Sequence, residues 1–80
     1  MSQTTIVDDH FVAFRLRYEL ERQGTSQAQL ARDLVVTDNW VSRRLRGEVP
    51  ITAVELAQIA QYLGVQITVF FPPEVTGVAA

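Results

Sequence analysis

Eighty residues with no cysteine and one histidine exclude a disulfide scaffold, a cysteine-ligated metal and a histidine cluster. The formal net charge of −2 argues against indiscriminate polyanion binding, but the charge is unevenly placed. Every basic residue is an arginine between Arg15 and Arg46, a window that contains Glu19, Glu21, Asp33 and Asp38, whereas the flanks hold only acids; such a field can orient a basic face toward a polyanion.

The length allows one small domain with a single core. No apolar run nears the ~18 residues of a membrane span. The segment MSQTTIVDD is polar and acidic, so no signal peptide is expected and the expected compartment is the cytoplasm. Residues 1–8 are expected to be flexible. The spacing predicts a first helix over 9–23, capped by Asp8 or Asp9 and stopped by Gly24. Val12, Leu16 and Leu20 form a core stripe. Phe11, Phe14 and Tyr18 form a second stripe, read as a widened core face or as a self-association patch. His10 is expected at the surface.

Residues 26–47 read as two short helices joined by a tight turn. Ser26 and Gln29 have capping-box spacing. Leu30, Ala31 and Leu34 share one face, and Ala31 is small enough for close helix approach. Val35 and Val36 are expected to plug the turn, and Thr37 to cap a third helix over 38–46. Gly47 would then supply the left-handed residue that follows it. At 100° per residue, Val41 and Leu45 point inward, and Asn39, Ser42, Arg43 and Arg46 point outward, with Trp40 and Arg44 on the flanks. Arginine pairs with guanine O6/N7 and asparagine with adenine N6/N7 in the major groove. A solvated surface helix is the competing reading of the same face.

Beyond the loop Glu48-Val49-Pro50, Thr52 and Glu55 form a second capping box. Leu56, Ile59, Ala60 and Leu63 make the core face of a fourth helix that Gly64 ends. The segment VQITVFF, residues 65–71, is β-branched and aromatic, which leans toward a strand. It is too short for periodicity to decide between strand and helix. Pro72 and Pro73 stop it, and residues 72–80 are expected to be a flexible tail.

Taken together, Ser26-Gln27, Leu30-Ala31, Val36, Thr37, Val41-Ser42-Arg43 and Gly47 resemble the Cro/phage-repressor type of helix-turn-helix, the XRE family with its lambda-repressor-like fold. The likeness continues through Pro50-Ile51-Thr52, Leu56, Ile59-Ala60 and Leu63-Gly64-Val65, and covers residues 10–66. It implies an all-α fold of four to five short helices over 9–71 with a central helix-turn-helix, a short C-terminal β-strand being the alternative ending. It implies sequence-directed binding of double-stranded DNA with the third helix in the major groove. Asp38, Asn39, Ser42, Arg43 and Arg46 are the expected base readers, Asp38 toward a cytosine amino group. Ser26, Gln27, Thr37, Trp40 and Arg44 are the expected phosphate contacts, with Arg32 a further candidate; Gln27, at a helix N-terminus, takes a clamping role.

Three residues depart from the family pattern. Val35 stands where glycine is usual, so the turn must differ or carry strain. Arg44 replaces an apolar residue and is expected to snorkel toward phosphate. Asp38 suits the helix dipole but repels phosphate. The resemblance implies a homodimer, since one recognition helix makes few base contacts, with VQITVFF and Phe14 or Tyr18 as expected contact residues. No effector domain is expected to follow. The expected function is a transcription regulator of the phage or prophage repressor or Cro-like kind. The alternative is a protein-interaction module such as an antitoxin-like partner. No catalytic residue, cofactor, metal, membrane or small-molecule substrate is expected.

Overall fold

The computed structural model describes residues 9–72. Helix α1 (Asp9–Gln23) is followed by α2 (Gln27–Leu34), α3 (Asp38–Leu45) and α4 (Ala53–Leu63), and a 3₁₀ turn (Ile67–Phe70) closes the domain. The expected flexible segments, 1–8 and 72–80, lie outside the described residues except for Pro72.

Local chemistry sets each helix start. The hydroxyls of Ser26, Thr37 and Thr52 accept from the N–H groups of Gln29, Trp40 and Glu55 at 3.0, 3.0 and 3.1 Å. At Thr52 the box is complete, because the Glu55 carboxylate accepts the Thr52 N–H at 3.0 Å. Each helix ends in the same way, with an N–H reaching back five residues: Thr25 to Leu20, Val36 to Ala31, Glu48 to Arg43 and Val65 to Ala60, at 2.9–3.0 Å. This closure places the preceding residue in the left-handed region. Three of the four residues there are glycines, and the fourth is Val35 at φ 60°. The turn therefore keeps the family geometry, and strain at a β-branched residue is the consequence. Val36 packs against the core, but Val35 is 88% exposed, so only one of the two valines expected to plug the turn does so.

Gly47 is required twice over. Its φ is 76°, and a Cβ there would lie 2.9 Å from Nδ1 of His10, which thereby covers the turn leaving α3.

The core joins Val12, Leu16 and Leu20 of α1 to Leu30 and Ala31, Val41 and Leu45, and Leu56, Ile59, Ala60 and Leu63. Its largest fully buried side chain is Phe70. The lean toward a strand at 65–71 is thus corrected. A lone strand would leave its N–H and C=O groups unpaired, and the described residues contain no other strand. The 3₁₀ turn satisfies Val69 N–H with Gln66 and Phe71 N–H with Thr68, both at 3.1 Å, and drives Phe70 against α1 and α4. Helix α1 also ties down two helix ends. Arg17 Nη1 donates to the Leu45 carbonyl, and Gln23 Nε2 to the Leu63 carbonyl at 2.9 Å, which satisfies acceptors a helix C-terminus leaves open.

One buried charge escaped the sequence reading. Glu19 is 2% exposed and is held between Arg15 at 3.1 Å and Arg22 at 2.6 Å. It lies three residues after Leu16 and seven after Val12, on the core stripe, so the helical spacing contained the signal.

Candidate nucleic-acid interface

The outward face of α3 follows from its inward one. Val41 and Leu45 are buried, which turns Asn39, Arg43 and Arg46 outward as exposed residues and leaves Ser42 half-buried beside them. These four expected base readers share one side of the helix, while Asp38, two turns before Leu45, lies on the core sector and is exposed because it opens the helix. The Thr37 cap fixes where that face begins.

Three contacts fix how α3 sits. Gln27 Nε2, at the start of α2, donates to the Asp38 carbonyl at 3.4 Å across the turn. Arg17 anchors the other end at Leu45. Next to it, the Arg44 guanidinium stacks 3.8 Å from the Trp40 ring centroid, donates to the Trp40 carbonyl at 3.2 Å and grips Glu55 of α4 at 3.2 and 3.4 Å. The Arg44 side chain is only 14% exposed. Its stem and head are committed to binding α3 to α4, a role the sequence reading did not assign. Burial pushes the Glu55 carboxyl up, but the Thr52 N–H and the Arg44 guanidinium outweigh it and hold the carboxyl below the usual carboxylate range.

The expected phosphate contacts divide by accessibility. Ser26, Gln27 and Thr37 are exposed, in one neighbourhood at the facing N-termini of α2 and α3. The two hydroxyls accept from backbone N–H groups and keep their own protons to donate. Trp40 is half-buried beneath Arg44. Arg32 is exposed near the end of α2.

The sequence reading counted Glu48 in the acidic flank and in the loop before the fourth helix, and assigned it no contact with the third. Gly47 reverses the chain and folds Glu48 back onto α3. Its carboxylate accepts from Arg46 Nε at 2.8 Å and Nη2 at 3.2 Å, and lies 3.8 Å from Arg43 Nε. Arg46 Nη1 also donates to the Ser42 hydroxyl. The hydrogen bond from Arg46 holds the Glu48 carboxyl below its ordinary value and the Arg46 guanidinium above its own. With Glu48 against Arg43 and Arg46, the basic charge of this face is partly offset. No group of His, Asp and Glu among the described residues has the arrangement of a metal site, and no described helix is long and apolar enough to cross a membrane.

This geometry recurs in known proteins. The helix-turn-helix family HTH_3 matches residues 16–70. Among solved structures, the hydroxypropylphosphonic acid epoxidase of S. wedmorenis is 30% identical with a TM-score of 0.76, over 86% of this chain and 37% of that one. An HTH_3 family transcriptional regulator from Vibrio cholerae is 24% identical with a TM-score of 0.76, over 85% of this chain and 39% of that one. The DNA-binding domain of BldD is 22% identical with a TM-score of 0.73, over 81% of this chain and 94% of that domain. At such identities the last two establish the fold alone. This chain spans little more than a third of the length of the epoxidase and of the Vibrio regulator. No curated protein matches it. The family match runs from the middle of α1 through the 3₁₀ turn, taking in both helices of the motif. The chain belongs to the HTH_3 helix-turn-helix family.

Proposed function

We propose that this chain is a sequence-specific DNA-binding transcription regulator, of the phage or prophage repressor or Cro-like kind, that works as a homodimer in the cytoplasm. Helix α3 enters the major groove of double-stranded DNA. Asn39, Ser42, Arg43 and Arg46 meet base edges, and Asp38 meets a cytosine amino group. Ser26, Gln27 and Thr37 meet the phosphate backbone, while Trp40 and Arg44 border it and hold α3 in place. One observation carries the reading. The outward side of α3 offers an amide, a hydroxyl and two guanidiniums on a helix whose two ends are pinned to the rest of the domain. A merely solvated helix has no need of such fixing, whereas base readout depends on it. The transcriptional regulator of Vibrio and the DNA-binding domain of BldD, which share the fold, support the same reading.

A second reading, an antitoxin-like protein-interaction module, is favoured by one observation: the same architecture occupies about a third of an epoxidase chain. Selection of bound sequences from a random duplex pool separates the two. Enrichment of a defined motif, lost in Arg43→Ala with Arg46→Ala, supports base reading by α3. Retention of the motif in that double variant means that another element reads the DNA. No enrichment, with no salt-sensitive retention on a DNA column, favours the protein-interaction module.

A further inference from the structure

We propose that Glu48 is a positioning residue for Arg46 that aims it at a guanine and turns the site away from bare phosphate. The inference rests on the DNA-binding function proposed above. A guanidinium has five N–H donors. Glu48 takes the one on Nε and one on Nη2, and Ser42 takes one on Nη1. What remains is one N–H on each terminal nitrogen, the pair that matches the O6 and N7 acceptors of a guanine edge. The long arginine side chain is thus braced on two sides before DNA arrives, and ordering that binding would otherwise require is already in place. All three groups sit within the seven residues 42–48, and the reversal at Gly47 that brings Glu48 into place has a left-handed backbone with His10 packed against it.

The same carboxylate acts against the backbone. In non-specific binding, arginines near the duplex contact phosphates, and a carboxylate on the arginine pair opposes that contact. In specific binding the arginine lies along a base edge, and the carboxylate remains its partner. Glu48 therefore lowers affinity for random DNA and raises it for a site with guanine in register.

The test is Glu48→Gln, which keeps shape and removes charge. Arg46 and Glu48 are both about half exposed, so the change opens no core. Two probes are used, a duplex of random sequence and the best duplex selected from a random pool by the unaltered protein. For the random duplex, the variant is expected to bind more tightly, with a log–log salt slope steeper by about 0.9, equal to about 3.5-fold over a fourfold dilution of salt. For the selected duplex, affinity is expected to fall about fivefold or more, with preference relaxed at a single guanine. A rise in affinity for both probes by the same factor overturns the proposal and makes Glu48 a simple competitor. Unchanged affinities overturn it too, while leaving the DNA-binding function intact. Failure of the unaltered protein to select any sequence is the separate outcome that removes the function and, with it, this role.

Discussion

Val35 is the clearest single-residue conflict in the chain. The closure that ends α2 demands a left-handed residue, and Val35 adopts it at φ 60° with its side chain 88% exposed. The left-handed backbone costs an L-residue about 1–2 kcal/mol, whereas glycine adds about 0.4–1 kcal/mol of unfolded-state entropy. The exposed side chain contributes little packing to offset this. Val35→Gly is therefore expected to stabilise the domain by about 0.5–1 kcal/mol, read as a higher urea midpoint with an unchanged slope. A lower midpoint would mean that the valine makes a contact this geometry does not contain. Leu45 presents the opposite case, with its side chain buried beside the reading face. Leu45→Ala is expected to cost about 2–5 kcal/mol, and a negligible loss in the same titration would put the register of α3 in error. Caps and closures were legible at this scale because each is written within three to five residues. Glu48 was not, because its partners depend on where the chain folds back, whereas Glu19 is held by Arg15 and Arg22 of its own helix and was missed although the spacing carried the signal.

At the scale of elements, α3 packs on α2 and α1, and a side-chain clamp ties it to α4. The Arg44–Glu55 pair makes that tie, the Trp40 ring of α3 braces Arg44, and the pair is largely shielded from solvent. The Glu55 carboxyl is held below its ordinary value in the folded chain. A depressed carboxyl stabilises the fold above the unfolded pKa, and the contribution is lost as pH falls through the folded value. Stability measured by denaturant is thus expected to decline through the acid range, and Glu55→Gln to flatten that decline; an equal decline in the variant would assign it to other carboxylates. Arg44→Ala is expected to lower both thermal stability and affinity for the selected duplex while leaving the salt slope alone. A slope shallower by about 0.9 would instead mark a phosphate contact. Gln27→Ala is expected to weaken selected and random duplexes equally, because a group at the N-terminus of α2 meets backbone rather than bases; a loss confined to the selected duplex would move Gln27 among the base readers. All four helices were legible from hydrophobic spacing and caps. The 3₁₀ turn was not, because four residues carry no period and β-branched composition describes a strand and a buried turn alike.

At the scale of the whole molecule, one reading helix is too little. A single α3 offers the five base-reading side chains proposed above, and specificity against a genome requires more. In the proposed dimer, two copies about a twofold axis would double the contacts and read half-sites about 34 Å apart, or a multiple of that. The segment at 65–71 is poorly placed to supply the whole interface, since Phe70 fills the core and Ile67, Val69 and Phe71 pack against it. Phe14 and Tyr18 remain 55% and 47% exposed along α1, with Arg17 and Arg15 stacked on their rings. They are exposed aromatic side chains that can meet a second copy without unmaking the fold. Sedimentation is therefore expected to show two protomers on one dyad-symmetric duplex. Phe14→Ala with Tyr18→Ala is expected to leave the melting temperature nearly unchanged, because neither side chain is buried, and to convert cooperative binding of two protomers into stepwise binding of single ones. A one-to-one complex on a site without dyad symmetry would exclude the dimer and leave the aromatic edge of α1 without this role. Cooperative binding that persists in the double variant would keep the dimer and move its contacts elsewhere on the surface.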